Sequence, residues 1–194
     1  GVIGAEYASI LATMGIHVTL IERRPRLLEF VDQETIEALQ YHMRSIGVTL
    51  RFNEEVVSVE RQPQEQVIVR LKSGKEIAAT TVLYSVGRTG ASATLNLEAI
   101  GLTVDDRGRL KVNEHYQTTV PHIYAAGDII GFPALASTSM QQGRHAACHA
   151  FGIPCQTQSE LMPYGIYSIP EISMVGRNED DLTKNGVPYA VGIA

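Results

Sequence analysis

Apolar positions recur along this chain with two different periods, and the switches between them mark its elements. Over residues 5–14 they follow a helical spacing. Ala8, Leu11 and Ala12 share one face, Tyr7 and Met14 flank it, and Gly15 stands where a C-terminal cap belongs. Residues 17–22 are a short β-rich run, apolar enough for a buried parallel strand. Ile36, Leu39, Met43 and Ile46 then repeat at helical intervals, which predicts a helix over 33–46 closed by Gly47. Residues 48–52 return to strand. Residues 55–61 and 66–72 alternate as antiparallel strands, with Ser73-Gly74 marking the next hairpin turn. Residues 80–86 read as a buried apolar strand that ends at Gly87-Arg88. Strand and helix in alternation, followed by a β-meander, predict an α/β fold of the Rossmann-like, dinucleotide-binding kind.

The pattern changes after Arg88. Residues 89–120 are rich in turns, with Gly90, Gly101 and Gly108 and little long periodicity. Residues 122–126 predict a short strand ending in Gly127-Asp128. Residues 137–151 predict a helix capped by Gly152 and Pro154, and a further β-rich unit starts near Tyr164. The acidic run Glu179-Asp180-Asp181 suits a helix N-terminus. The opening Gly1-Val2-Ile3-Gly4 leads into a helix with no strand before it and no initiating Met. This reads as a piece of a longer chain, which alone is expected to be inactive and to bind flavin poorly.

Composition narrows the classes. The chain has 194 residues, of which 44% are hydrophobic and 19% charged, enough to build a core. A net charge of -5 gives no electrostatic reason to bind nucleic acid or anionic lipid. No apolar run approaches the roughly 18 residues of a membrane span. Cys148 and Cys155 are too few for a disulfide framework and too far apart for a thioredoxin-like pair, so they read as two free cytosolic thiols.

The candidate chemistry lies at glycine turns. In a G-x-G-x-x-G turn the middle Gly lets backbone approach a pyrophosphate, and the last Gly lets helix pack closely on strand. The helix N-terminus then stabilises the phosphates. Gly1 and Gly4 fit the second and third glycines. Glu22 ends the following strand 18 residues after Gly4, about where a carboxylate meets the ribose hydroxyls. Arg23 and Arg24, with Arg26 nearby, suit either a solvated basic loop or the bidentate pairing of a 2′-phosphate. Gly127-Asp128 offers a carboxylate after a strand-ending Gly, which fits a ribose or ribityl hydroxyl and fits equally a plain strand turn. His145 and His149 stand one helical turn apart as a metal clamp would, without a third ligand; a solvated or packed helix face is the alternative, and no metal is expected.

In order, the motifs are Gly1-Val2-Ile3-Gly4-Ala5-Glu6, Glu22, Val86-Gly87-Arg88, Ile123-Tyr124-Ala125-Ala126-Gly127-Asp128, and Ile169-Pro170-Glu171-Ile172-Ser173-Met174-Val175-Gly176. Together they resemble the pyridine nucleotide–disulfide oxidoreductase family over essentially the whole chain. The stretches Leu83-Tyr84-Ser85-Val86-Gly87-Arg88-Thr89-Gly90 and Leu135-Ala136-Ser137 resemble members that pass hydride between NADPH and NAD without a disulfide. Thr89-Gly90 departs from the Pro-containing version found in many relatives.

The resemblance implies an NAD(P)-binding domain over 1–88 lacking its first strand. It implies the later part of an FAD-binding domain over 89–158 and the start of an α+β dimerisation domain over 159–194. It implies NAD(P) contacts at Gly1, Ile3, Gly4, Glu22, Arg23, Arg24, Val57 and Gly87, and FAD contacts at Gly127, Asp128, Leu135, Ala136 and Ser137. Glu6 is placed near the flavin–nicotinamide contact. The cofactors implied are FAD, NAD and NADP, in a cytoplasmic homodimer or higher homo-oligomer. Two alternatives remain at this stage: a disulfide reductase such as dihydrolipoamide dehydrogenase, and a nucleotide-binding module without turnover.

Overall fold

The computed structural model describes residues 1–63, 65–155 and 163–192. The chain divides into two compact units, one made of residues 1–86 with 163–194 and the other of residues 87–162. The domain boundary expected near residue 158 lies outside the described residues.

In the first unit, α1 (Val2–Thr13) leads into β1 (Thr19–Glu22), then α2 (Gln33–Ser45) into β2 (Thr49–Phe52). β1 and β2 pair in parallel, with Thr19 opposite Thr49 and Glu22 opposite Phe52. A parallel pair needs a crossover connection, and α2 supplies it. The helical spacing of Ile36, Leu39 and Met43 puts all three on the core face, at most 2% exposed. Burial of each such side chain contributes roughly 1.5–3 kcal/mol.

α1 behaves differently. Its buried face is the small-residue set Ala5, Ala8, Ser9 and Ala12, while Tyr7 and Met14 point outward at 51% and 71% exposure. Small side chains allow a close approach, so the tight face is the alanine face.

Glycine ends both helices as expected. Gly15 and Gly47 take φ of +84° and +91°. Gly47 N–H donates to Arg44 O and Val48 N–H to Met43 O, the paired bonds of a Schellman cap.

β3 (Val56–Arg61) and β4 (Val67–Leu71) are the antiparallel strands expected from the alternation, and β5 (Glu76–Ala79), which is not among the expected strands, completes the meander after the turn at Ser73-Gly74. The register slips between Val56 and Ser58, so Val57 is a bulge residue. β6 (Pro163–Ile166) and β7 (Ile172–Val175) pair antiparallel, and α4 (Glu179–Lys184) follows, capped by the Asn178 side chain. Ile166 and Ile172 enter the same core as α1 and α2.

Two predicted strands are corrected. Residues 80–86 are irregular and largely exposed, with Leu83 at 54% and Tyr84 at 78%. A strand exists only with a ladder partner, and among the described residues none pairs with this segment. Residues 122–126 reduce to one bridge, Gln117 to Tyr124, flanked by loop hydrogen bonds. In that second unit, α3 (Ala136–Ala150) is the main element, and Leu102, Leu110 and Ala125 form a small core.

Candidate functional site

The N-terminal turn and the end of β1 meet in the first unit. Gly1 N lies 3.2 Å from Glu22 Oε2, and Arg24 N–H donates to Glu22 Oε1 at 3.1 Å. Burial of the Glu22 carboxyl is the largest single effect on it and pushes its pKa up. The hydrogen bond from Arg24 N–H is the largest of the opposing effects, and the carboxyl lies below the usual glutamate range. It is therefore an ionised acceptor at neutral pH.

The glycines occupy different surroundings. A Cβ on Gly1 would meet nothing within 4 Å, whereas one on Gly4 would lie 2.9 Å from Ser85 Oγ. Gly4 permits close packing on the 80–86 segment. The first intrahelical bond of α1 runs from Ala5 N–H to Gly1 O at 3.0 Å. That leaves the amides of Val2, Ile3 and Gly4 as the orphan donors of a helix start, the donor set an anionic pyrophosphate requires.

Arg23 is exposed, and among the described residues it has no carboxylate within ion-pair reach. Arg24 leans instead toward Glu29, 3.5 Å away. Val57 stands 59% exposed on its bulge.

Glu54, which the sequence reading did not single out, lies just past β2 and is 6% exposed. Its Oε1 accepts from Lys75 Nζ at 2.5 Å, and its N–H donates to Glu22 O at 3.2 Å. Asn53, at φ +55°, makes the turn that aims it there. Its only signal was an acidic residue after an Asn at a strand end.

Glu6 has a structural task. Its Oε1 accepts the Tyr167 N–H at 2.9 Å, and Ser9 Oγ accepts the Ile169 N–H at 2.9 Å. One face of α1 thereby holds the segment between β6 and β7.

In the second unit, Gly127 at φ +83° opens a 3-10 turn over Gly127–Ile130. Its N–H donates to the buried Gln142 Oε1 at 2.7 Å, and a Cβ there would lie 3.1 Å from Ser139 Oγ. Both Ser139 and Gln142 belong to α3. The Gly127-Asp128 turn is therefore packed against the first turns of the helix that starts at Leu135-Ala136-Ser137, with Leu135 as N-cap. Asp128 Oδ2 pairs with Arg88 at 2.8 Å, which ties Gly87-Arg88 to this site. Gly87 takes φ of +122°, and this left-handed geometry favours glycine.

The two helix histidines have separate partners. His149 Nδ1 bonds Tyr124 Oη at 2.8 Å and stacks on His115, while His145 meets the edge of Tyr116. Among the described residues no group of three His, Cys, Asp or Glu side chains could hold a metal. No helix among them is long and apolar enough to cross a membrane.

A glycine turn at a helix start, an acidic residue closing the parallel strand beside it and a second Gly-Asp turn define a dinucleotide-binding α/β protein. The chain belongs to the pyridine nucleotide–disulphide oxidoreductase family, whose profile matches residues 1–143. It is 54% identical over 194 residues to the soluble pyridine nucleotide transhydrogenase of Mycobacterium bovis (strain BCG / Pasteur 1173P2), across 100% of this chain and 41% of that one. The relative of the same name from Pectobacterium atrosepticum is 53% identical over 195 residues, across 100% of this chain and 42% of that one.

Among solved structures, LpdA from Mycobacterium tuberculosis matches with a TM-score of 0.89 and 28% identity, across 96% of this chain and 41% of that one. The HOCl-induced flavoprotein disulfide reductase RclA from Escherichia coli matches at 0.86 and 28% identity, across 96% and 43%. The chain spans about two fifths of the length of the curated relatives it matches, 41% in the first case. The Rossmann-like α/β class expected from the sequence is the fold of these structures.

Proposed function

We propose that this chain is part of a flavoprotein that transfers hydride between NADPH and NAD, with FAD as cofactor. The carrying observation is the closure of Gly1 on Glu22 at 3.2 Å, which puts an anion-binding helix start beside an ionised carboxylate. The likeness to relatives named soluble pyridine nucleotide transhydrogenase supports the choice of reaction.

In this reading the orphan amides at Val2, Ile3 and Gly4 hold the nucleotide pyrophosphate, and Glu22 accepts from the adenosine ribose hydroxyls. Arg23 and Arg24 meet the 2′-phosphate of NADP, and Val57 lines the adenine side. Gly87 lets backbone come close to the nucleotide. Asp128, Gly127 and the backbone of Leu135, Ala136 and Ser137 hold FAD. The acceptor set fits: Asp128 pairs with Arg88 through Oδ2, and among the described residues its Oδ1 is left to accept a hydroxyl. Glu6, held by the Tyr167 N–H, is assigned to the nicotinamide end of the bound nucleotide. The chemistry that bound FAD supplies is relay of hydride from one nicotinamide to the other. The protein supplies position and charge.

Residues 1–88 serve NAD(P), 89–158 serve FAD, and 159–194 begin the dimerisation region of a homodimer or larger homo-oligomer.

The test uses the intact purified protein. NADPH oxidation should be coupled one to one to reduction of a spectrally distinct NAD analogue, with the Si-side hydrogen transferred. Flavin absorbance should co-purify. Absence of transfer alongside reduction of a small disulfide would replace this reading by the disulfide-reductase one. Nucleotide binding without either turnover would leave a binding module.

A further inference from the structure

α3 buries one stripe of side chains, Thr138, Gln142 and Ala146, spaced four residues apart. Residues at that spacing share a helix face. Thr138 and Ala146 are compact, but the residue between them is a glutamine that is only 3% exposed. Glutamine loses much rotamer freedom on burial, and its amide has to be hydrogen-bonded when it is taken out of water. An apolar side chain would fill the same stripe without either cost. The oxygen of that amide has a definite partner: Oε1 accepts the Gly127 N–H at 2.7 Å.

Gly127 opens the 3-10 turn Gly127–Ile130, directly after Ala126 in extended backbone. The first amides of a helical turn have no acceptor within it, and a buried amide left unpaired carries its full desolvation penalty. Gly127 is buried, so its N–H needs an acceptor from elsewhere, and Gln142 brings one from α3. The contact is close: a Cβ on Gly127 would lie 3.1 Å from Ser139 Oγ, one turn before Gln142 on the same helix. Asp128 is the next residue. With the Gly127 amide held, the direction in which Asp128 leaves the turn is held too, and its Oδ2 meets Arg88 at 2.8 Å. Arg88 thus restrains the carboxylate from the solvent side, and Gln142 restrains its backbone from the buried side.

We propose that Gln142 is a positioning residue for the flavin: through the Gly127 N–H it aims the Asp128 carboxylate at a cofactor hydroxyl. This rests on the reading of Asp128 as a flavin-binding residue. Gln142 acts through one backbone amide and has no contact with the cofactor in this arrangement. Its bond is buried and joins two uncharged groups, so salt does not screen it, in contrast to the exposed Arg88–Asp128 pair.

The test follows FAD release from the intact purified protein after dilution, read as the rise in flavin fluorescence. Gln142→Met keeps the length of the side chain and removes its oxygen. It should release FAD about tenfold faster, roughly 1.4 kcal/mol, at low and high salt alike. Gln142→Glu keeps an acceptor for the Gly127 N–H and should restore most of the retention. Placed on Asp128→Ala, which itself speeds release, Gln142→Met should add less than about twofold, because the group it aims is gone. A purely structural role would give the same tenfold step on either background, and that result would overturn the proposal. So would equal losses in Gln142→Met and Gln142→Glu, or unchanged release in Gln142→Met while Asp128→Ala releases faster. Unchanged release in Asp128→Ala would bring down the flavin reading of this turn and the proposal with it. Should Gln142→Met fail to fold, Gln142→Asn, shorter by one methylene, withdraws the oxygen and enters the same comparisons.

Discussion

Arg88 and Asp128 form an ion pair, with the guanidinium 2.8 Å from Asp128 Oδ2. It links a Gly-Arg turn to a Gly-Asp turn far along the chain. Both side chains are substantially exposed, 68% and 43%, so the pair contributes little to stability, on the order of 0–1 kcal/mol. Its consequence is orientation: one carboxylate oxygen is engaged and the other is left to accept.

In the intact protein, Asp128→Ala should therefore weaken flavin retention. A hydrogen bond from a cofactor hydroxyl to a charged acceptor contributes about 1.5–3 kcal/mol. Arg88→Ala should loosen flavin less, by disordering the carboxylate without removing it. The flavin-to-protein ratio after gel filtration measures both, and an unchanged ratio in Asp128→Ala would remove that residue from the site.

Glu22 and the arginines after it should discriminate between nucleotides in opposite senses. Glu22 offers its carboxylate to ribose hydroxyls and repels a 2′-phosphate, so Glu22→Ala should raise KM for NAD more than for NADP. Arg23→Ala with Arg24→Ala should do the reverse. Its effect should shrink with salt, because both arginines are exposed. Steady-state kcat/KM for each nucleotide at two ionic strengths checks this; equal shifts for both nucleotides would end the dual-nucleotide reading of this loop.

Alanine at two glycines should give very different stability costs. On Gly90 a Cβ would lie 2.1 Å from the Gly108 carbonyl oxygen, backbone that cannot swing away. Gly90→Ala should cost about 3 kcal/mol or more, beyond ordinary overpacking of roughly 1–3 kcal/mol. On Gly4 the obstacle is the Ser85 hydroxyl at 2.9 Å, which can rotate, and alanine favours a helix by about 1 kcal/mol over glycine. Gly4→Ala should be near neutral. Urea unfolding midpoints separate the two, and equal costs would contradict the geometry.

Ser9→Ala should destabilise the first unit by about 1–3 kcal/mol, because it removes the acceptor of the Ile169 N–H at a fully buried position. Glu6→Gln keeps an acceptor for Tyr167 N–H and should leave stability nearly unchanged. A fall in hydride transfer in Glu6→Gln with an unchanged unfolding midpoint would then report the charge at the reacting centre.

Acid should loosen the same unit partly through Glu54. Lys75 holds the Glu54 carboxyl below its ordinary value of 4.5 in the folded chain. The unfolded chain thus binds its proton first as pH falls. The stabilisation is complete above about pH 4.5 and is lost as pH drops through the lowered folded value. Glu54→Gln or Lys75→Ala should flatten the decline of the urea midpoint between neutral pH and pH 3. An unaltered decline in both variants would show that other carboxylates govern it.

The sequence by itself determined the local elements and the residue types at the turns. Helical spacing of Ile36, Leu39 and Met43 fixed the buried face of α2, alternation fixed β3 and β4, and Gly15, Gly47 and Gly152 fixed three helix ends. All of these follow from interactions over a few residues, so a local pattern carries them. Tertiary structure decided what depends on distant partners. Residues 80–86 have the composition of a strand but no ladder partner among the described residues, so composition could not make them one. On α1 the spacing places Ala8 and Ala12 on the buried face, while the packed partner adds Ala5 and Ser9 and leaves Leu11 only half-buried, because close approach selects small side chains. The Arg88–Asp128 pair, the Glu54–Lys75 pair and the grip of Glu6 and Ser9 on residues 167–169 each join segments remote in sequence.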